Sequence, residues 1–398
     1  MNKYAITLAK TCLGCKKPSC QKGCPVKTPI PDMIRLFLAG EIKQAGEMLF
    51  ANNPLSVVCS LVCPHEKHCE GHCILNKKGT AVSVGSIENY ISDLYINDLQ
   101  FEKPKKNGHK IAIIGSGPAG IALAFMLGIK GYEVTMYDAH DKIGGVLRYG
   151  IPDFRLNKTI LDTLVQKLEQ LGVVIRPNIL IGKNITVSDL FRDEFKAVFL
   201  GTGVWSSKKL GIKGESLGHV HFAIDYLKNP SVYRLGKRVV VLGAGNVAMD
   251  VARTAVRNHA REVIILYRKG MDDIPASHHE VECAKIDGVK FELYKQPTEI
   301  TEKGVKYIAT DGTEEEGFME ADTILVAISQ GPADNIVRST REIEVDGKGL
   351  VITDESGRTT MKGVFASGDV VTGARTVVEA VAFSKRVALA IEEYIEQL

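Results

Sequence analysis

The sequence predicts an α/β protein in which a helical N-terminal module precedes two doubly wound units of parallel sheet. Three observations carry this. Eight of the nine cysteines lie between Cys12 and Cys73, in a segment whose apolar residues recur at helical spacing. The stretch "KIAIIGSGPAGIALAFMLGIKGYEVTMYDAH" runs from strand through a glycine turn to helix and strand. "GKRVVVLGAGNVAMDVARTAVRNHAREVIILYRKG" repeats that plan further along the chain.

Composition bounds what such a chain can do. Its 398 residues suit two to three domains, and 45% hydrophobic with 24% charged residues is ordinary soluble composition. A net charge of +3 is too small to imply a nucleic-acid partner, and no basic run is interleaved with aromatics. The opening "MNKYAITLAKTC" lacks the apolar core of a signal peptide, and no stretch approaches the apolar length of a membrane span, so a cytoplasmic chain is expected. In a reducing compartment a cysteine cluster binds metal or does redox chemistry more often than it forms disulfides. Cys283, alone in a later segment, reads as a small buried apolar side chain.

In the N-terminal module, Asp32 is expected to cap a helix carrying Met33, Leu36 and Phe37 on one face, and Ile87, Tyr90, Ile91 and Leu94 repeat the spacing. The module is short of apolar residues, and bound metal would supply part of its folding free energy. "CLGCKKPSCQKGCP" holds Cys12, Cys15, Cys20 and Cys24 with three lysines among them and no acid before Asp32. "CSLVCPHEKHCEGHC" adds Cys59, Cys63, Cys69 and Cys73. The polar "EKPKKNGHK" (102–110) then reads as a linker.

The first strand–turn–helix places Gly115, Gly117 and Gly120, with Pro118 and Ala119 between them, after an apolar strand. Gly115 permits the tight turn, Gly117 lets the backbone approach a pyrophosphate, Gly120 allows close helix–strand packing, and the helix N-terminus favours the anion. Asp138 ends the following strand, where an acid can bond a ribose hydroxyl. The second unit reads Gly243, Gly245, Ala248, with Asn246 and Val247 opening its helix. Its next strand ends in Tyr267-Arg268-Lys269 instead of an acid; these cations suit the 2′-phosphate of NADPH over NADH, or else form a solvated strand end. One site for a tightly held dinucleotide and one for an exchanging dinucleotide suggest a flavin and a nicotinamide. Near the C-terminus a short strand and Gly368-Asp369 precede a long helix beginning near Thr376, whose start could face an anionic reduced flavin.

Together with "GCPVKTPIPDMI", "GGVLRYGIPDFRL", "GTGVW" and "GVFASGDVVTGARTVVEAV", these motifs resemble, in the same order, the glutamate synthase small-subunit family of flavoprotein oxidoreductases. That family includes the electron-input half of dihydropyrimidine dehydrogenase and the large subunit of NADH-dependent ferredoxin:NADP oxidoreductase. The resemblance implies an N-terminal all-helical iron–sulfur domain followed by two Rossmann-like dinucleotide-binding domains, the second inserted in the first. The expected division is 1–107 for two 4Fe-4S clusters, 108–230 with 336–398 for FAD, and 231–335 for NAD(P)H. FAD is expected on Gly115, Gly117, Gly120, Asp138, Gly145, Leu147 and Asp369, and NAD(P)H on Gly245, Asn246, Arg268 and Lys269. Pro118, Ala119, Gly243, Val247, Gly368 and Thr376 complete the expected cofactor contacts.

Iron–sulfur is favoured over zinc because thiolate clusters beside a flavin act as electron wires, whereas zinc has no redox chemistry. Nicotinamide delivers electrons in pairs, clusters carry them singly, and flavin does both, so no catalytic acid–base pair or nucleophile is assigned. By the logic of ferredoxin-like runs, Cys12, Cys15 and Cys20 bind one cluster while Cys24 joins Cys63, Cys69 and Cys73 on the other. For the first cluster's missing ligand, counting offers Cys59, and the family resemblance points to Glu88. The acceptor is expected to be a partner subunit or ferredoxin. The spacing of Cys63, Cys69 and Cys73 resembles the dihydropyrimidine dehydrogenase and ferredoxin:NADP oxidoreductase branches. Lys10, Lys16, Lys17, Lys22 and Lys27 either guide an acidic partner or offset cluster charge. Two other classes stay open: an iron–sulfur redox sensor with nucleotide-binding domains, and a pyridine nucleotide-disulfide reductase, although no paired-cysteine motif follows residue 73.

Overall fold

A computed structural model describes residues 3–398, which divide into two compact units. The first comprises the chain up to Leu147, Asp153–Val204 and Gly331–Leu398; the second comprises Arg148–Pro152 and Trp205–Gln330.

The first unit begins with six helices: α1 (Lys3–Ala9), α2 (Ser19–Gly23), α3 (Ile30–Leu38), α4 (Ile42–Asn52), α5 (Ser56–Val62) and α6 (Val84–Asp98). Their apolar faces converge as the spacing predicts: Met33 and Phe37 of α3, Leu49 of α4, and Ile87 and Ile91 of α6 share one core. Leu94 faces outward. Asp32 is not the cap of α3; Pro29 holds that position, and Asp32 lies in the first turn, where its charge complements the helix dipole. No helix among the described residues is long and apolar enough to cross a membrane.

After an irregular stretch over the expected linker comes a parallel sheet of order β15-β4-β1-β2-β3. Its strands are β1 (Lys110–Ile114), β2 (Glu133–Tyr137), β3 (Val174–Arg176), β4 (Phe195–Leu200) and β15 (Val364–Ala366). β15 follows the whole second unit in sequence, so that unit is an insertion. Helix α7 (Pro118–Ile129) leaves β1, the four-residue α8 (Val146–Tyr149) follows Gly145, and α9 (Lys158–Gln170) and α10 (Val187–Arg192) connect to β3 and β4. After the insertion come α14 (Asn335–Ser339), α15 (Asp369–Thr372) and the long α16 (Val377–Glu396), which packs along α7. Aromatic rings join the helical module to this sheet: Phe125 of α7 meets Phe50 of α4 edge-on with centroids 5.3 Å apart, and Phe101 at 6.4 Å.

The second unit has its own parallel sheet, of order β6-β13-β7-β8-β9: β6 (Val220–Phe222), β7 (Arg238–Leu242), β8 (Glu262–Leu266), β9 (Lys290–Glu292) and β13 (Thr323–Val326). Helices α11 (Ala223–Lys228), α12 (Asn246–Arg257) and α13 (His278–Ile286) accompany it, and β10 (Lys295–Thr301), β11 (Gly304–Ala309) and β12 (Glu316–Glu320) form a separate antiparallel sheet. The two-residue strands β5 (Ser206–Ser207) and β14 (Gln330–Gly331) flank the unit in sequence. Because β6 hydrogen-bonds to β13, residues expected in the first unit up to 230 belong here instead. The turn-rich sequence before β6 carries no periodicity that could have marked this boundary.

Candidate functional site

At the C-terminal end of β1 the chain turns through Gly115, whose φ is +96°; a Cβ there would lie 2.5 Å from the Gly201 carbonyl oxygen. Gly120 is equally constrained, since its Cβ would lie 2.1 Å from the Gly115 carbonyl oxygen. Gly117 differs: the nearest atom to a Cβ is 4.0 Å away, which leaves its backbone approachable. It is the N-cap of α7 and uses no side-chain cap, Pro118 occupies the first turn, and Ala119 is buried. The terminal N–H groups of α7 are thus free of any side-chain cap at the switch point between β4 and β2, the chemistry a pyrophosphate requires. Gly145 closes over the turn, where a Cβ would fall 2.7 Å from Gly117 Cα. Buried Leu147 accepts a hydrogen bond at its carbonyl from Lys158 Nζ at 3.0 Å.

Asp138 follows β2 beside this turn. Its Oδ2 accepts from Ser116 N at 2.8 Å and from Ser116 Oγ, and its Oδ1 accepts from His140 N at 2.8 Å and lies 2.9 Å from His140 Nδ1. Burial pushes its carboxyl up, but these hydrogen bonds outweigh it and hold Asp138 below the usual carboxylate range. All four lone-pair directions are in use, so Asp138 ties the glycine turn to the loop after β2. Its partner Ser116 has no signature in the sequence.

The segment after β15 joins the same place. Gly368, at φ +76°, would bring a Cβ 3.1 Å from that of Ala119. Asp369 accepts from Arg375 N at 3.1 Å, and burial pushes its carboxyl up to about 6. Thr376 caps α16 in a capping box with Glu379, whose carboxylate accepts from Thr376 N and Oγ1. The helix start expected to face a flavin therefore already carries one carboxylate. Ser384 of α16 donates to the Ala119 carbonyl at 3.1 Å and lies 2.9 Å from Ser367 Oγ, which stitches the C-terminal helix to the first turn of α7.

In the second unit the corresponding turn follows β7. Gly243, at φ +119°, would place a Cβ 2.4 Å from the Ala327 carbonyl oxygen; Gly245 faces open space, and Ala248 is buried in the third position. Val247 packs on the core, and Asn246 accepts at Oδ1 from Ser277 N at 2.9 Å, so its amide holds the loop before α13. Arg268 and Lys269 follow the neighbouring strand β8 and are exposed. Lys269 lies 3.7 Å from Asp273, and the Arg268 guanidinium has no ion pair among the described residues.

The nine cysteines are free thiols. Cys12, Cys15, Cys20 and Cys73 line one cavity, closed by apolar residues including Ile30, Ile34 and Val82. Burial, reinforced by the neighbouring thiols, pushes the Cys20 thiol up to about 11. A second set gathers around Glu88: the Cys63 and Cys69 thiols are pushed up by burial and further by Glu88 and Cys24. Cys59 stands beside this set, pushed up by burial with its thiol bonded to Asn53. This grouping differs from the expected partition. Cys73 stands with the first set rather than the second, and Glu88 with the second rather than the first. Turn bonds that bring the N–H groups of Glu70 and Gly71 to the His65 carbonyl, and that of Cys73 to the Glu70 carbonyl, fold the chain back between His65 and Cys73, which linear spacing does not reveal.

Glu88 is the fifth residue of α6, past the turn that a dipole-complementing carboxylate would occupy, and is only 6% exposed. Burial alone pushes its carboxyl up to about 8. Among the described residues no three ligating side chains converge as they would on a single metal ion. Soft thiols spread around an apolar cavity, and three more beside a buried carboxylate, are a donor set that fits iron–sulfur clusters, since acidic groups buried without cations are costly until a metal binds their ionised forms.

Residues 109–383, more than half of the chain, match the model of the pyridine nucleotide-disulphide oxidoreductases. The chain belongs to that family. Residues 1–99 match the model of dihydropyrimidine dehydrogenase domain II, 4Fe-4S cluster. The glutamate synthase [NADPH] small chain of Escherichia coli (strain K12) is 34% identical over 98% of this chain and 91% of its own length, and that of Azospirillum brasilense 35% identical over 97% and 88%. The NADP(+)-dependent formate dehydrogenase subunit beta of Moorella thermoacetica is 32% identical over 95% of this chain, which spans 60% of that relative. Thioredoxin reductase of T. acidophilum shares the fold, with a TM-score of 0.59 and 23% identity over 72% of this chain and 98% of its own. The expected fold class and family are both borne out: the chain is an oxidoreductase of the glutamate synthase small-chain type, with FAD, pyridine nucleotide and 4Fe-4S iron–sulfur clusters as its cofactors.

Proposed function

We propose that this chain is an electron-input subunit that oxidises NADPH and passes the electrons through FAD and two 4Fe-4S clusters to a partner subunit or ferredoxin. The single observation that carries this reading is the stitching of α16 to both halves of the route: Ser384 bonds Ala119 at the first glycine turn, and the adjacent Lys385 bonds Asn52 of the cysteine-bearing module. Bound at these sites, FAD would accept electrons in pairs from the nicotinamide, and the clusters would carry them onward singly.

The chain's own residues bind and orient. Gly117, Ala119 and Gly120 offer backbone N–H groups to the FAD pyrophosphate, Gly115 makes the tight turn with its own N–H on the Tyr137 carbonyl, Pro118 opens α7, Asp138 and Gly145 hold that turn in shape, and Leu147, Gly368, Asp369 and Thr376 line the rest of the flavin site. Gly243, Gly245, Asn246 and Val247 hold the NADPH pyrophosphate, and Arg268 with Lys269 reads the 2′-phosphate, a reading supported by the exposed, unpaired Arg268 guanidinium. Cys12, Cys15, Cys20 and Cys73 hold one cluster; Cys24, Cys63, Cys69 and Glu88 hold the other, with Cys59 as the competing fourth ligand. A reducing cytoplasm suits thiols in that role. The disulfide reductase alternative is weakened because Cys283 lies 3.7 Å from His279 and has no second cysteine beside it.

Anaerobic reconstitution should yield FAD and about eight irons per chain, the sum of two four-iron clusters. Glu88→Ala should alter one of the two low-temperature spin-resonance signals of the reduced protein, whereas Cys59→Ser should leave both. Zinc in place of iron would overturn the reading, and the reverse pattern of the two variants would make Cys59 the ligand. Steady-state reduction of an artificial dye by NADPH separates the enzyme from a redox sensor, which would not turn over.

A further inference from the structure

The cavity lined by Cys12, Cys15, Cys20 and Cys73 has a rim that does not resemble an ordinary protein surface. Leu13 and Ile74 line it, yet they are 62% and 46% exposed. Around them in the chain stand Lys10, Lys16, Lys17 and Lys22 on one side and Lys77 and Lys78, which close the turn beginning at Ile74, on the other. All six are exposed, and none forms an ion pair among the described residues. No acid precedes Asp32, and Asp32 lies 3.7 Å from Arg35.

Two uses of this charge can be separated physically. Exposed ammonium groups are screened by water and salt and contribute little to a buried neighbour, so they are poorly placed to offset thiolate charge. The same groups, unpaired and of one sign around an apolar spot, are well placed to steer a protein of opposite charge and seat it over the thiols. We infer that the Leu13–Ile74 rim with its six lysines is the docking surface for a separate acidic redox protein that carries carboxylates around a one-electron centre. The inference rests on the electron-input reading above and names the class of acceptor. The small apolar centre suits a transient electron-transfer contact, which buries little area.

Direct binding tests the surface without requiring turnover. The FAD- and cluster-loaded protein is titrated with an oxidised acidic ferredoxin, and with the basic cytochrome c as counter-probe, at low salt and at about 0.2 M salt. The wild type should bind ferredoxin with steep salt dependence and bind cytochrome c weakly. The quadruple variant Lys16→Glu, Lys17→Glu, Lys77→Glu, Lys78→Glu should lose about ten-fold or more in ferredoxin affinity, flatten the salt dependence, gain affinity for cytochrome c, and keep its menadione reduction rate. If that variant loses iron, Lys77→Glu with Lys78→Glu, outside the cysteine run, should still lose about three-fold. Unchanged ferredoxin affinity in an iron-replete variant overturns the inference, as does an equal loss with the remote reversal Lys183→Glu or a wild type that does not bind ferredoxin. A protein that binds ferredoxin but does not oxidise NADPH would instead overturn the electron-input reading.

Discussion

Asp369 shows how burial sets the character of a single residue. Its folded-state pKa, about 6, lies above the ordinary 3.8 because burial disfavours the charge. The folded protein therefore binds the proton more tightly than the unfolded chain, and the associated stability is fully present below pH ~4 and lost as pH rises through about 6. In flavin-free protein, Asp369→Asn should match the wild type below pH ~3.5 and become relatively more stable by up to about 3 kcal/mol above pH 7. Thermal midpoints of the pair at several pH values read this out; a constant difference would show that the burial cost is relieved elsewhere. Arg268 is the opposite kind of residue, exposed and without an ion pair among the described residues. Arg268→Ala should weaken NADPH relative to NADH by about 1.5–3 kcal/mol, one charge-assisted hydrogen bond, seen as a change in the ratio of their kcat/KM values.

At the scale of one element, the β1–α7 turn separates glycines that serve the fold from the one that serves the ligand. A methyl at Gly120 would meet the Gly115 carbonyl oxygen at 2.1 Å, whereas a methyl at Gly117 has no neighbour closer than 4.0 Å. Gly117→Ala should therefore fold with an unchanged circular dichroism spectrum but purify with little FAD. Gly120→Ala should lose both thermal stability and FAD. Equal behaviour of the two variants would remove the distinction between packing and pyrophosphate approach. The sequence motif already expects packing at Gly120 and backbone approach at Gly117; the structure adds the distances that separate them.

On the scale of the first unit, α16 joins what the chain order keeps apart. Lys385 Nζ donates to Asn52 at its carbonyl, 2.9 Å, and at Oδ1, 2.8 Å, a bond across 333 positions of sequence. Burial lowers the pKa of this ammonium while the nearby Cys24 raises it. Lys385→Met keeps the aliphatic stem and removes the bonds. It should destabilise the docking of the helical module by about 1.5–3 kcal/mol, read as faster proteolysis within residues 100–109. Unchanged proteolysis would assign the docking to the Phe50, Phe101 and Phe125 contacts instead.

Sequence alone determined the helical module, the two glycine turns and their parallel sheets, and the gathering of eight cysteines in one module, because each rests on local periodicity or on spacing within one segment. Met33, Phe37, Ile87 and Ile91 reach the core that their 3.6-residue period predicts. Tertiary structure decided what depends on the chain returning to itself. Turns after His65 carry Cys73 to the cavity of Cys12, Cys15 and Cys20, and the packing of α6 leaves Glu88 with Cys63 and Cys69. The second unit claims β6 through pairing with a strand about a hundred residues later. Ser116, Ser384 and Lys385 have no motif, since a hydrogen bond between distant segments costs the sequence only one polar residue at each end and leaves no pattern to read.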